Sequence, residues 1–280
     1  MPAYALRAMQ QEDLPAAHGL SSAVGWPHRL EDWAFNFSLG LGFVVEEEGR
    51  VLGTILGWPF GTGATIGLVI VAEEAQGRGF GRMLTERMMA ALGDGCLMLN
   101  ATVPGRPLYA KLGFTETGRR IEQHQGTPFS VGLVPPPPGD RLRPLGRSDA
   151  GALAALDRQA TGLDRRALLE ALLEVSEGVV LDRGGEAVGF ALMRRFGRGH
   201  VVGPVIAPDA EAAKVLIGYW LGYRSDQFIR VDVQDDSGLG PWLDTLGLSN
   251  VGSVVSMIRG TAPDRPGPAQ RFALTNQALG

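Results

Sequence analysis

Cysteine is nearly missing from this chain: Cys96 is the only one among 280 residues. A lone thiol forms no internal disulfide and builds no cysteine-based zinc site, and it fits a reducing compartment. Long apolar runs are also missing, since none reaches the ~18 residues that suggest a membrane span. The opening stretch MPAYALRAMQQEDLPAA has no basic segment leading into an apolar core, so no signal peptide is expected. Positive charge is scarce too. Lys and Arg number 26 against 30 Asp and Glu, a formal net charge of -4, which gives no support to a nucleic-acid partner. These absences lead to the expectation of a cytoplasmic protein with no membrane, nucleic-acid or metal partner.

What is present is ordinary for a globular chain, with 45% hydrophobic and 20% charged residues. The length exceeds that of one typical domain, so two are expected. VPPPPGDRLRP (134–144) marks the seam, because consecutive prolines form a stiff segment that joins neither a helix nor a central strand. Internal similarity crosses this seam at a constant offset of 136. LRAMQQEDL from residue 6 resembles LRPLGRSDA from 142, RVLGTILGWPF from 50 faces EAVGFALMRRF from 186, and IGLVIVAEEAQ from 66 faces VGPVIAPDAEA from 202. LGF at 112 answers LGL at 246 with an offset of 134. Four such pairs suggest one architecture used twice. The expected division is a first domain over 1–134, a linker over 135–140, a second domain over 141–262 and a tail over 263–280. Phe272, Ala273, Leu274 and Leu279 make that tail too apolar to hang free, so it is expected to dock on a domain.

Periodicity gives each half the order β-α-α-β-β-β-α-β-α-β-β, an α/β fold with a mixed sheet and helices on its faces. Residues 41–60 read as a hairpin turning at Glu47 to Arg50. ATIGLVIVA (64–72) is a β-branched strand covered on both faces. GRMLTERMMAAL follows at helical spacing, and GFTETGRR with TPFSVGLV is expected to close the half as two strands, with His124 in the turn between them.

Between that strand and helix lie Gly77, Gly79 and Gly81. Amides here fall in the first helical turn, where donors are unsatisfied and the dipole is positive. Glycine permits φ > 0 and close approach, so the N–H groups can converge on an anion. Arg78 and Arg82 add guanidinium groups suited to phosphate oxygens. The pattern misses G-x-G-x-x-G, because Arg82 stands where the last glycine belongs, and it misses the P-loop, because no lysine follows. A tight turn with close helix–strand packing is the alternative reading of the glycines alone.

Gln76 to Gly81, Q-G-R-G-F-G, resembles the acetyl-CoA loop [Q/R]-x-x-G-x-[G/A] of the GNAT N-acetyltransferases. LRAMQQEDL at the first strand–helix join, Asn100 at a strand end and RPLYAKLGF (106–114) agree, and the resemblance covers residues 1–133. It implies two tandem GNAT-like domains, each a mostly antiparallel splayed sheet flanked by helices. It further implies acetyl-CoA as co-substrate, with its pyrophosphate on the amides of Gly77, Gly79, Gly81 and Arg82. The pantetheine arm would then lie along Val69 and Val71 with Asn100 hydrogen-bonding it. Tyr109 would protonate the departing thiolate, and the amide of Val71 would polarise the thioester carbonyl. In the second half the offset carries the loop onto Ala212, Ala213, Val215 and Ile217, which crowd a phosphate. That half also resembles the degenerate C-terminal domain of tandem GNAT proteins, so one coenzyme site per chain is expected.

The general base is less legible. ATIGLVIVA carries no carboxylate, which leaves His28, Glu31 or His18, a water chain, or an amine that arrives neutral. Trp26, Trp33 and Phe35 are the expected walls of an acceptor pocket. The expected reaction is direct acetyl transfer to a primary amine on a small molecule. A non-catalytic acyl-CoA-binding protein is the alternative, and a homodimer stays open.

Overall fold

A computed structural model describes residues 4–129 and 131–280; residues 1–3 and 130 of the expected first domain lie outside the described residues. The first half runs β1 (Tyr4–Ala8), α1 (Leu14–Ala23), α2 (Leu30–Ser38), β2 (Leu41–Glu47), β3 (Arg50–Phe60), β4 (Gly63–Val71), α3 (Phe80–Leu92), β5 (Cys96–Ala101), α4 (Arg106–Lys111) and β6 (Thr115–Gly126). The second half runs β7 (Asp140–Pro144), α5 (Ala150–Thr161), α6 (Arg166–Val175), β8 (Glu177–Arg183), β9 (Glu186–Phe196), β10 (Gly199–Ala207), α7 (Ala210–Tyr223), β11 (Ile229–Gln234), α8 (Gly240–Thr245), β12 (Ser249–Arg259) and β13 (Gln270–Ala273).

The duplicated L-R-x-x-x-x-x-D pattern has a structural cause. Arg7 of β1 forks onto Asp13 at 2.7 Å, and that carboxylate also takes the amide of Gln10 at the entry to α1. Arg143 of β7 does the same to Asp149, which takes the amide of Gly146. One paired carboxylate thus fixes the strand-to-helix turn in each half. Both hairpins that follow close through left-handed residues, Glu48 and Gly49 in one and Gly184 and Gly185 in the other.

All thirteen strands form one sheet in the order β1-β2-β3-β4-β5-β12-β6-β11-β13-β10-β9-β8-β7. Its centre corrects the expected closing hairpin. Among the described residues of 127–134 none lies in a strand, and Pro128 and the proline run 135–138 interrupt any ladder of N–H donors. The halves instead exchange their sixth strands. β12 pairs with β5 of the first half, from Val255 opposite Ala101 to Arg259 opposite Leu97, while β6 pairs with β11 of the second. His124 therefore sits inside β6, buried, with Nδ1 2.9 Å from the carbonyl of Leu248, and not in a turn.

Helices cover both faces. α3 and α4 bury Leu84, Met88, Leu97, Leu99 and Phe114 in one core, and α7 and α8 cover the second half with Leu216, Trp220 and Leu243. α1, α2, α5 and α6 share a third core in which Trp33 and Trp58 of the first half join Leu168, Leu172 and Phe190 of the second. This common core sets the two halves against each other and creates the spaces between them. The tail enters as β13 between β10 and β11, then crosses to the first half. There Asn100 donates to the carbonyl of Gln277 at 2.8 Å, and Ala278 lies so close to Gly67 that a Cβ there would fall 2.7 Å from it.

Candidate active site

β4 and β5 run in parallel and pair only from Gly63 opposite Cys96 to Ile66 opposite Leu99. Beyond that point the strands part, although β4 continues to Val71 and β5 to Ala101. A bulge helps to separate them: Leu68 has φ 52, and its carbonyl accepts from the hydroxyl of Thr54 at 3.0 Å. Ala72 donates its amide back to Leu52 of β3 at 2.8 Å. By the two-residue alternation of an antiparallel ladder, the amides of Val71 and Val69 point the other way, into the opening.

The chain then turns through Gln76–Gly79 into α3. Gly77 has φ 77 and Gly79 has φ 85, both left-handed, and a Cβ on either would meet only open space. Gly81 differs. It has ordinary helical backbone, and a Cβ there would meet Leu108 of α4 at 3.4 Å, an ordinary van der Waals contact. Among the described residues no acceptor takes the amides of Gly77 through Arg82, and the first α3 bond is donated by Met83 to the carbonyl of Gly79 at 3.0 Å. Six orphan donors at a helix N-terminus beside an unpaired strand edge form a cradle for an elongated, anionic ligand.

Val69, Val71, Gln76, Gly77, Gly79, Gly81, Arg82 and Tyr109 line one cleft of about 680 Å³. Tyr109 reaches it from α4, its ring edge-on to Phe114, and burial pushes its phenol up to about 12. Arg78 does not point into the cleft. Its guanidinium forks onto Glu47 at 2.9 and 2.6 Å and lies over the Phe80 ring, so only its amide joins the loop. Asn100 does not line this cleft and borders an adjoining space instead. Its carboxamide donates to Gln277 and accepts from Ser256 of β12 at 2.8 Å.

Family models described as acetyltransferase (GNAT) domains match this chain twice, over residues 39–116 and over residues 153–270, together more than half of its length. The chain belongs to the GNAT acetyltransferase family. It carries two such domains in tandem and is an enzyme of the acyltransferase class. The uncharacterized N-acetyltransferase YitH of Bacillus subtilis (strain 168) is 28% identical over 216 residues, 75% of this chain and 75% of its own. A Pyrococcus horikoshii protein described as an acetyltransferase shares the fold with a TM-score of 0.78 at 19% identity, covering 100% of this chain and 97% of that one. A tandem GNAT protein from the clavulanic acid biosynthesis pathway has a TM-score of 0.66 at 14% identity, covering 92% of this chain and 99% of its own.

The two GNAT domains differ where the cleft lies. β1, β3 and β4 recur as β7, β9 and β10 at the offset of 136, but α7 starts six residues early relative to α3. Residues equivalent to the loop are wound into α7, where Ala212, Ala213, Val215 and Ile217 are buried. Asp209 caps this helix, its carboxylate accepting from the amide of Ala212 at 2.8 Å, so the first turn already holds an anion. The opening between β10 and β11 is occupied by β13, with Ala273 opposite Val205 and Val233.

A smaller cavity of about 180 Å³ adjoins the first-domain cleft, and Trp26 and Thr102 line both. His28, Leu68 and Gln123 face it from the first half, Phe196 and Arg230 from the second. His28 packs edge-on against Trp26 and Phe196 with centroids 5.9 and 5.6 Å apart, and its Nδ1 is sealed from solvent without a partner. Burial, and then the nearby Arg230 guanidinium, hold its imidazole down at about 4, so it is neutral at pH 7. The other expected residues lie elsewhere. Glu31 is exposed on the first turn of α2 and borders neither space, and His18 Nε2 donates to the His28 carbonyl, 3.0 Å away. Trp33 is core, donating to Ser21, and Phe35 carries Arg194 over its ring, so of the three expected walls only Trp26 is one. Phe196 and Arg230 were not legible as site residues, because only the tertiary packing of the halves brings them there. Among the described residues no helix is long and apolar enough to cross a membrane, and no group of His, Cys, Asp or Glu is placed to hold a metal.

Proposed function

We propose that this protein transfers an acetyl group from acetyl-CoA to a primary amine of a small molecule, using one coenzyme site in the first domain, 1–134. The second domain, 141–262, and the tail complete the acceptor cavity. The observation that carries this reading is the convergence of orphan loop amides, an unpaired β4 edge and a protonated phenol in one cleft that opens onto an aromatic-walled cavity. Acetyl-CoA, when bound, supplies the activated acetyl group. The amides of Gly77, Gly79, Gly81 and Arg82 hold its pyrophosphate, and Gln76 and the edge amides of Val69 and Val71 hold its arm.

The Val71 N–H polarises the carbonyl as charge develops on oxygen. Tyr109 remains protonated to well above neutral pH and holds the proton that the departing sulfur requires. His28 is too weak a base at about 4 to store a proton at pH 7. The nucleophile is therefore an amine that reaches the cavity neutral, and the proton it sheds as the C–N bond forms passes through water to restore the Tyr109 phenol after that phenol has protonated the thiolate. Thiol release followed with DTNB over polyamines, amino acids, aminoglycosides and lysine peptides tests this reading. It expects acceptor-dependent release with a small amine; release with lysine peptides alone, or with none of these acceptors, would contradict it.

A further inference from the structure

The cavity beside the coenzyme cleft carries charge of one sign. Among the described residues lining it, Arg230 is the only one charged at neutral pH, since His28 is held neutral and no Asp, Glu or Lys takes part. Arg230 and Asp232 stand two residues apart on β11, on one face of the sheet, and both are buried. Asp232 takes one edge of the guanidinium: Nε donates to its carboxylate at 3.0 and 3.1 Å, and Nη2 at 2.8 Å. This pairing keeps Arg230 charged and fixes its plane, but it occupies only the Nε–Nη2 edge. Nη1 meets no acceptor among the described residues and is not shut off from solvent, so the Nη1–Nη2 edge stays open to the cavity. Such an edge is a rigid pair of parallel donors that matches a carboxylate.

The surroundings favour an anionic group over a second cation. The Phe196 ring lies 5.5 Å from the Arg230 guanidinium and 4.9 Å from that of the buried Arg194, and both charges act on His28. A polyamine or aminoglycoside would bring its further ammonium groups to a wall that offers a fixed cation and no carboxylate. The remaining wall is neutral, with Ile66, Leu68 and Val254 among its apolar members.

We propose that the acceptor is an amino acid with an uncharged side chain, and that Arg230 selects it by forking onto its carboxylate. The amine then lies toward Trp26 and Thr102, which the cavity shares with the coenzyme cleft, and the side chain packs on the apolar wall. The carboxylate takes no part in the transfer itself. This assignment of the acceptor rests on the transferase reading of the cleft, and it gives the second domain the task of choosing the substrate.

Ligand pairs that differ only in the carboxylate test it: alanine and ethylamine, leucine and isoamylamine, phenylalanine and phenethylamine. Each is titrated calorimetrically into the full chain, with and without saturating coenzyme A, and each is offered with acetyl-CoA while thiol release is followed. At least one amino acid should bind saturably, with a Kd at least tenfold below that of its amine, and kcat/KM should favour it in the same direction. Arg230→Gln alone would leave Asp232 buried without a partner. The variants used are therefore Arg230→Lys, which keeps a cation there but has no second edge, and the double change Arg230→Gln with Asp232→Asn, which keeps a neutral pair. In each variant that retains the wild-type circular dichroism spectrum, the Kd of the amino acid should rise at least tenfold while that of the amine stays within twofold. No saturable binding of any amino acid, binding of the amines as tight as that of the amino acids, or discrimination that survives in a folded variant would overturn the proposal. Thiol release with the amines and not the amino acids would overturn it while leaving the transferase reading intact. Selective binding that depends on Arg230, with no thiol release, would contradict the transferase reading and leave the carboxylate site standing.

Discussion

Replacing His28 with glutamine removes a titrating ring but keeps a polar side chain of similar reach. In the folded protein, burial beside Trp26, Phe196 and Arg230 holds this imidazole at about 4, against an ordinary 6.5. Between those values the unfolded chain takes up a proton that the folded chain refuses, so stability rises with pH across this window. The contribution is complete above pH 6.5 and is lost as pH falls toward 4. The separation corresponds to about 3 kcal/mol at 1.36 kcal/mol per unit, and partial contact of the ring with water brings it nearer to about 2. Urea unfolding of both proteins between pH 4 and 8, followed by tryptophan fluorescence, measures the difference, and effects from other titrating groups cancel in it. Wild type should lose about 2–3 kcal/mol relative to His28→Gln on going from pH 7 to pH 4. Parallel stability profiles would refute the burial argument, and with it the picture of a neutral imidazole facing the acceptor cavity.

Two further substitutions separate roles that the sequence pattern left together. Tyr109→Phe should lower kcat about 100-fold, the scale of general acid catalysis, while acetyl-CoA affinity by titration changes less than about twofold; unchanged turnover would remove Tyr109 from the proton path. Asn100→Ala should cost about 1–3 kcal/mol of stability in denaturant unfolding, because it leaves the Gln277 carbonyl and the Ser256 hydroxyl without their partner. A large loss of coenzyme affinity without loss of stability would instead return Asn100 to the coenzyme arm.

The parts that were readable in the sequence are those set by local chemistry. Hairpins, the glycine loop and the Arg–Asp turn at each strand-to-helix join depend on residues within a few positions of each other, and the 136-residue offset of β1, β3 and β4 survives intact in the structure. The duplication also signals the loss of the loop in the second half, because branched residues stand where glycines would be needed. The strand exchange was not readable. β6 and β12 have the same pattern of residues whether they pair within a half or across halves, and that choice is made by partners more than a hundred residues away. His124 was misplaced for the same reason, since its hydrogen-bond partner, the Leu248 carbonyl, comes from the other half, as does the Gln277 carbonyl that Asn100 meets. Arg78 looked like a phosphate ligand by position, but a carboxylate on the neighbouring hairpin, Glu47, holds it. The apolar tail suggested docking, yet nothing local says that it lies as a strand in the opening of the second domain.

The account rests on one coenzyme site per chain, built on the left-handed glycines of the first domain. Acetyl-CoA titrated calorimetrically into wild type should bind with a stoichiometry of one. In Gly79→Val, a branched side chain is forced to φ 85, at a local cost of about 1–2 kcal/mol, and its bulk enters the space over the amides, so binding should be lost. Two sites in wild type, none, or undiminished binding in Gly79→Val would contradict the account.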